Sequence, residues 1–130
     1  MLIRELGPPA TIGRYDIRRE IGRGMMGVVY EALDTVLGRT VAIKMVSPWT
    51  VLDDETKSRF LREAQSAAAL LHENVVAIYA VEQVEEKPFL VLEHVSGESL
   101  QERLKREGKL PLDEVARIGA QVARGLAAAH

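Results

Sequence analysis

Three features of the sequence have residue types and spacings suited to handling a phosphate. The run Gly22-Arg23-Gly24-Met25-Met26-Gly27 has the Gly-x-Gly-x-x-Gly pattern, in which missing side chains let backbone N–H groups approach anionic oxygens closely. Taken alone, the same pattern also suits a glycine-bearing hairpin turn. Lys44 stands in the otherwise apolar run Val41-Ala42-Ile43-Lys44. A strand alternates its faces, so Ala42 and Lys44 share one side while Val41 and Ile43 share the other. A lone strand lysine usually faces solvent or blunts an edge. Here a turn around Gly38 folds Val29 back toward Lys44, over a face shared with the glycine loop. Glu63 lies at the margin of an apolar helical stripe, three and four residues from Phe60 and Ala67. A surface glutamate is the plain alternative. Close to a buried face, however, a carboxylate needs a cation, and Lys44 is the nearest candidate on the sheet.

The elements that must position these groups follow from periodicity. Between Tyr15 and Val46 the chain is β-branched and punctuated, with Tyr15 to Ile21, Val28-Val29-Tyr30 and Val41 to Val46 read as three antiparallel strands. Ser47-Pro48-Trp49 ends the third, since proline cannot donate to a ladder, and Trp49 is expected to cover apolar surface. Asp53 is the expected N-cap of an amphipathic helix over residues 54–71, with Phe60, Leu61, Ala64, Ala67, Ala68 and Leu71 on its stripe. Val75 to Val84 and Phe89 to Val95 form a second hairpin about Glu85-Glu86-Lys87-Pro88. Ser99-Leu100-Gln101-Glu102 has the form of a capping box opening a short helix that Gly108 closes. A last helix begins near Pro111, with Val115, Ile118, Val122 and Leu126 on one face. Its pattern reaches His130 without a stop signal, so the sequence is expected to be a fragment or to lack part of a C-terminal domain.

Composition narrows the function classes. The 130 residues are 47% hydrophobic and 28% charged, ordinary for a chain with a core, and 17 Lys and Arg against 19 Asp and Glu give a net charge of −2. No strong field drives binding to nucleic acid or an anionic membrane. Without cysteine there is no disulfide framework, thiolate metal site or thiol nucleophile. His72, His94 and His130 are too scattered to form a ligand set. No apolar run approaches the roughly 20 residues of a membrane span. A dinucleotide-binding site of the Rossmann type would need a buried parallel strand before the glycines and a helix after them. The charged Tyr15 to Ile21 segment and the strand-forming Val28-Val29-Tyr30 argue against it.

In order and spacing, residues 15–130 resemble the N-terminal lobe and start of the C-terminal lobe of a eukaryotic-type protein kinase, and the glycine loop is similar to that of bacterial Hanks-type serine/threonine kinases. The resemblance rests on the glycine loop, Val41-Ala42-Ile43-Lys44, Phe60-Leu61-Arg62-Glu63-Ala64, His72-x-Asn74-Val75-Val76 and Leu90-Val91-Leu92-Glu93-His94-Val95. It implies an α+β fold: a five-stranded antiparallel sheet with one long regulatory helix, followed by two helices of a truncated C-lobe. Residues 1–14 would be a lead-in, 15–95 the nucleotide-binding lobe, and 96–130 the hinge exit and first C-lobe helices. Met25 stands where such loops commonly have glycine, and Glu73 where proline is common.

The resemblance also implies roles. Ile21, Val29 and Ala42 would enclose the adenine, with Gly22, Arg23, Gly24, Met25, Met26 and Gly27 arching over the phosphates. Lys44 would contact the α- and β-phosphates, held by Glu63 from the helix whose placement switches such enzymes on and off. Leu92 would back the pocket, and the backbone of Glu93 and Val95 would hydrogen-bond the adenine. The parent protein is expected to transfer the γ-phosphate of ATP to protein Ser/Thr hydroxyls. No His-Arg-Asp loop, Asp-Phe-Gly or Ala-Pro-Glu follows in this sequence. The chain alone is therefore expected to be inactive, with Mg²⁺ bound only in the complete kinase. A pseudokinase or regulatory nucleotide-binding module is the alternative. The expected partners are ATP and, for the complete enzyme, a protein substrate, with no nucleic acid. The chain is expected to self-associate through its last helix. A soluble, cytoplasmic segment is expected, with any membrane anchor of the parent lying beyond residue 130.

Overall fold

The computed structural model describes residues 8–25, 27–47 and 53–130. The expectations for Met26, Pro48 and Trp49 and for residues 1–7 of the lead-in fall outside them. The elements are β1 (Thr11–Ile12), β2 (Tyr15–Gly24), β3 (Gly27–Asp34), β4 (Arg39–Val46), α1 (Asp54–Ala68), β5 (Ile78–Val84), β6 (Lys87–Glu93), α2 (Leu100–Glu107) and α3 (Leu112–Ala129). One antiparallel sheet runs in the order β1-β2-β3-β4-β6-β5. The α+β kinase-like architecture is as expected, but the sheet has six strands where five were expected. The sixth, β1, lies inside the presumed lead-in. Two residues are too short for a periodic signal, yet Gly13, at φ 54°, turns the chain so that Ile12 pairs with Tyr15. Ile12 is buried with the core as a result.

Alternation along the central strands divides the sheet into two faces. Tyr30 pairs with Ile43 and Ala32 with Val41, while Ile43 also pairs with Val91. These residues, with Tyr15 and Phe89, form the buried core. The Tyr15 and Phe89 rings meet edge to face with centroids 6.0 Å apart. The opposite face carries the rows Gly22, Val29, Lys44, Leu90 and Glu31, Ala42, Leu92, each neighbour a cross-strand partner of the next.

Turn chemistry holds the sheet ends. Asp34 is buried and accepts hydrogen bonds from the N–H groups of Val36 and Leu37 at 2.9 and 3.0 Å. Arg14 joins it at 3.1 Å, so one carboxylate ties the turn before β2 to the turn after β3. The Leu37 N–H is the first cause that holds the Asp34 carboxyl below the ordinary carboxylate range, with Arg14 adding to it. Pro88, expected in a turn, is buried within β6 opposite Gln83. Pairing of β6 with β4 begins only at Phe89, so the missing N–H of Pro88 leaves no gap in that ladder.

Asp53 caps α1 as expected, accepting the Thr56 N–H at 2.7 Å. The helix ends at Ala68, three residues before the expected boundary, and Leu71 is exposed. The last turn tightens there, with the Ala69 N–H directed at Ala67 and Ser66 carbonyls. The helix packs against β5 through the buried Ala64. Lys57 Nζ donates to the Glu86 carbonyl at 2.8 Å, binding its first half to the β5–β6 turn. Strand β5 begins at Ile78 and not at Val75. Ser99 and Glu102 form the expected capping box of α2, and Gly108 at φ 73° closes it. Arg103 bridges Glu107 at 2.7 Å and also pairs with Glu114, joining α2 to α3.

Candidate functional site

The glycine run is a hairpin tip, with Gly24 paired to Gly27. Gly22 has no contact nearer than the Val29 Cβ, 3.9 Å from where its own Cβ would lie, and Gly24 has nothing within 4 Å. Neither is hemmed in by a neighbouring atom, so both leave room for a ligand. Gly27 has a structural duty instead. Its φ is 141°, and a Cβ there would fall 1.9 Å from the Met45 carbonyl oxygen. Arg23 turns its guanidinium to Glu20 at 2.6 Å, and Met25 is 93% exposed at the tip.

Register brings most of the remaining expected residues onto one face. Val29 lies between Gly22 and Lys44, and Ala42 lies between Glu31 and Leu92. Lys44 is half-buried, and its ammonium has no ion pair or hydrogen bond among the described residues. A lysine held on a sheet face beneath open glycines, with its charge uncommitted, is able to receive an anion. Ile21 and Val95 line a cleft of about 420 Å³ beyond the Ala42 row, a size suited to a small organic ligand.

Six residues of this cleft were not expected as functional. Arg19, Glu31, His94 and Glu102 line it together with Ser96 and Gly97. Arg19 donates to Glu31 at 2.7 Å, and His94 Nε2 lies 3.8 Å from the same carboxylate. Spacing held a signal for Glu31, two residues beyond Val29 on the same face. The bulges in β2 between Ile17 and Arg19 and between Glu20 and Gly22 hid the corresponding signal for Arg19.

Glu63 is not brought to Lys44. It is exposed, and the two form no ion pair. The reason is the seat of α1. The helix meets β5 at the sheet edge, whereas Lys44 lies on β4 with β6 between them. With Ala64 facing the sheet, the preceding residue projects about 100° away around the helix.

No group of three or more His, Cys, Asp or Glu able to hold a metal ion occurs among the described residues. The donors present among the described residues do not fit Mg²⁺. The open glycines, uncommitted ammonium and apolar Val29 and Ala42 do fit the phosphates and base of a nucleotide.

The protein kinase domain family matches residues 15–130. This chain belongs to the protein kinase family. It is 42% identical over 118 residues to the serine/threonine-protein kinase PrkC of Bacillus subtilis, covering 91% of this chain and 18% of that protein. It is 38% identical over 117 residues to a probable serine/threonine-protein kinase of Clostridium acetobutylicum, covering 90% of this chain and 18% of the relative. Its fold is similar to the crystal structure of the Mycobacterium tuberculosis PknI kinase domain, with a TM-score of 0.77 and 30% identity. That likeness covers 92% of this chain and 49% of the solved domain. The chain thus spans under a fifth of these relatives and about half of a kinase domain, matching its N-terminal part.

Proposed function

We propose that this chain is the nucleotide-binding part, residues 15–95 with the start of a second lobe at 96–130, of a serine/threonine kinase transferring the ATP γ-phosphate to protein hydroxyls. The observation that carries the proposal is the row Gly22–Val29–Lys44, which sets an uncommitted ammonium beneath a glycine hairpin. In this reading Gly22, Arg23, Gly24, Met25, Met26 and Gly27 cover the phosphates and Lys44 orients them. Ile21, Val29 and Ala42 enclose the adenine, Leu92 backs it, and the Glu93 and Val95 backbones hold its edge. Glu63 pairs with Lys44 only after α1 moves, so the arrangement seen here is a resting one. Protein Ser/Thr hydroxyls are the acceptors in the complete enzyme, which also supplies the proton acceptor and the Mg²⁺ ligands. That enzyme works in the cytoplasm, where ATP is available. No helix among the described residues is long and apolar enough to cross a membrane.

Replacing Lys44 by Met keeps the stem and removes the charge. We expect ATP affinity to fall about tenfold, the scale of one charge-assisted contact, with adenosine affinity and thermal midpoint unchanged. An ATP affinity equal to the original would refute the assignment. Self-association is the second part of the proposal. Val115, Val122 and Leu126 on α3 are 51%, 52% and 56% exposed, so covering what remains in water stabilises by about 0.8–1.5 kcal/mol each. A second copy of α3 supplies the matching stripe. Sedimentation at micromolar concentration should show a dimer, and a monomer that persists on concentrating would rule it out.

A further inference from the structure

Ala77, the last residue before β5, lies opposite Glu93, the last residue of β6, one step beyond the Ile78–Leu92 pair. The Glu93 N–H donates to the Ala77 carbonyl at 2.9 Å. Facing residues of this kind in an antiparallel ladder exchange two bonds, so the Ala77 N–H should return to the Glu93 carbonyl. It goes instead to the Glu93 side chain, donating to Oε1 at 3.1 Å. The carboxylate stands in for the main-chain carbonyl of its own residue, and that carbonyl is left without Ala77.

We propose that Glu93 is a positioning residue for the base. By engaging the Ala77 N–H, its side chain keeps the Glu93 carbonyl available to a donor outside the sheet, namely the exocyclic amino group of an adenine. Without that carboxylate, the Ala77 N–H closes on the residue-93 carbonyl. The β5–β6 ladder then lengthens by one pair, and the acceptor for the base is engaged. The inference rests on the nucleotide-binding proposal above. It assigns selectivity to a side chain at a position where only the backbone was expected to matter.

The test compares ATP with purine riboside triphosphate, which lacks the 6-amino group, by nuclear magnetic resonance titration of the whole chain. In the original chain ATP should bind about three- to tenfold more tightly, the worth of one hydrogen bond. In Glu93→Ala the ratio of the two affinities should fall to about one. Glu93→Gln, whose amide oxygen can accept the Ala77 N–H, should restore the preference. Glu93→Asp, one methylene too short to reach, replaces the alanine variant if that one does not fold. A folded Ala or Asp variant that keeps the full preference overturns the positioning role, as does a Gln variant that loses it. A merely structural role would lower both affinities together, which also overturns it. An original chain that binds both nucleotides alike refutes the adenine contact and the positioning role with it, whereas one that binds neither refutes the nucleotide-binding proposal on which both rest.

Discussion

Replacing Gly27 by alanine separates the structural use of the glycine loop from its use toward a ligand. At φ 141° the backbone of Gly27 is in a region that L residues rarely adopt, and occupying it costs about 1–3 kcal/mol. The new methyl carbon would lie 1.9 Å from the Met45 oxygen, 3.0 Å from the Met45 carbonyl carbon and 3.2 Å from the Ser47 nitrogen. All three are backbone atoms, so no side chain can swing away. Relief requires opening the end of the β3–β4 ladder at Gly27 and Val46, at about 0.5–1.5 kcal/mol per hydrogen bond lost. A stiffer unfolded chain returns only about 0.4–1 kcal/mol. The net loss is about 0.5–4 kcal/mol, centred near 2, which lowers the thermal midpoint by roughly 2–20 °C for a chain of this length. Gly24→Ala is the control, since its Cβ meets nothing within 4 Å. It should leave the midpoint in place while weakening ATP binding. Circular dichroism melts of both variants decide the matter. A Gly27→Ala midpoint within about 2 °C of the original would refute the clash argument.

Asp34→Asn should lower the thermal midpoint near neutral pH. The carboxyl titrates lower in the folded than in the unfolded chain, so its contribution is fully present above an unfolded value of about 4 and is lost as pH falls through the folded value. The difference in midpoint between variant and original should therefore shrink on acidification, and a difference constant with pH would contradict the assignment. In α3 two glycines should respond with opposite sign. Gly119→Ala meets nothing within 4 Å and should stabilise by about 0.5–1 kcal/mol through helix propensity. The Gly125→Ala methyl would sit 2.9 Å from the Asn74 carbonyl oxygen, so that variant should lower the midpoint, as a paired melt would show.

What the sequence made legible was local and periodic. Asp53, and Ser99 with Glu102, marked their helix starts because each cap is a fixed spacing between a side-chain oxygen and nearby N–H groups. Alternation placed Ala42 and Lys44 on the face that register then shared with Val29 and Leu92. Features set by the meeting of distant segments were not legible. Strand β1 exists because Ile12 finds a buried place beside Tyr15, which no window of two residues announces. The seat of α1, and with it the exposure of Glu63, depends on how Ala64 meets β5 and not on the helical stripe alone. The Glu93 clasp on Ala77 joins residues 16 apart in a hydrogen bond that leaves no pattern in either segment.

The two-faced character of β4 has a genetic consequence. Val41 and Ile43 fill the core while Ala42 and Lys44 lie on the opposite face of the sheet, and the side-chain period of a strand is two residues. Loss of a single codon between Arg39 and Lys44 would preserve the reading frame of the gene yet reverse the frame of the strand. It would aim the lysine into the space of an isoleucine and turn the aliphatic residues toward the opposite face of the sheet. Deletions of one codon here should thus be far more damaging than deletions of two, a parity that a tiled deletion library across β4 would display directly.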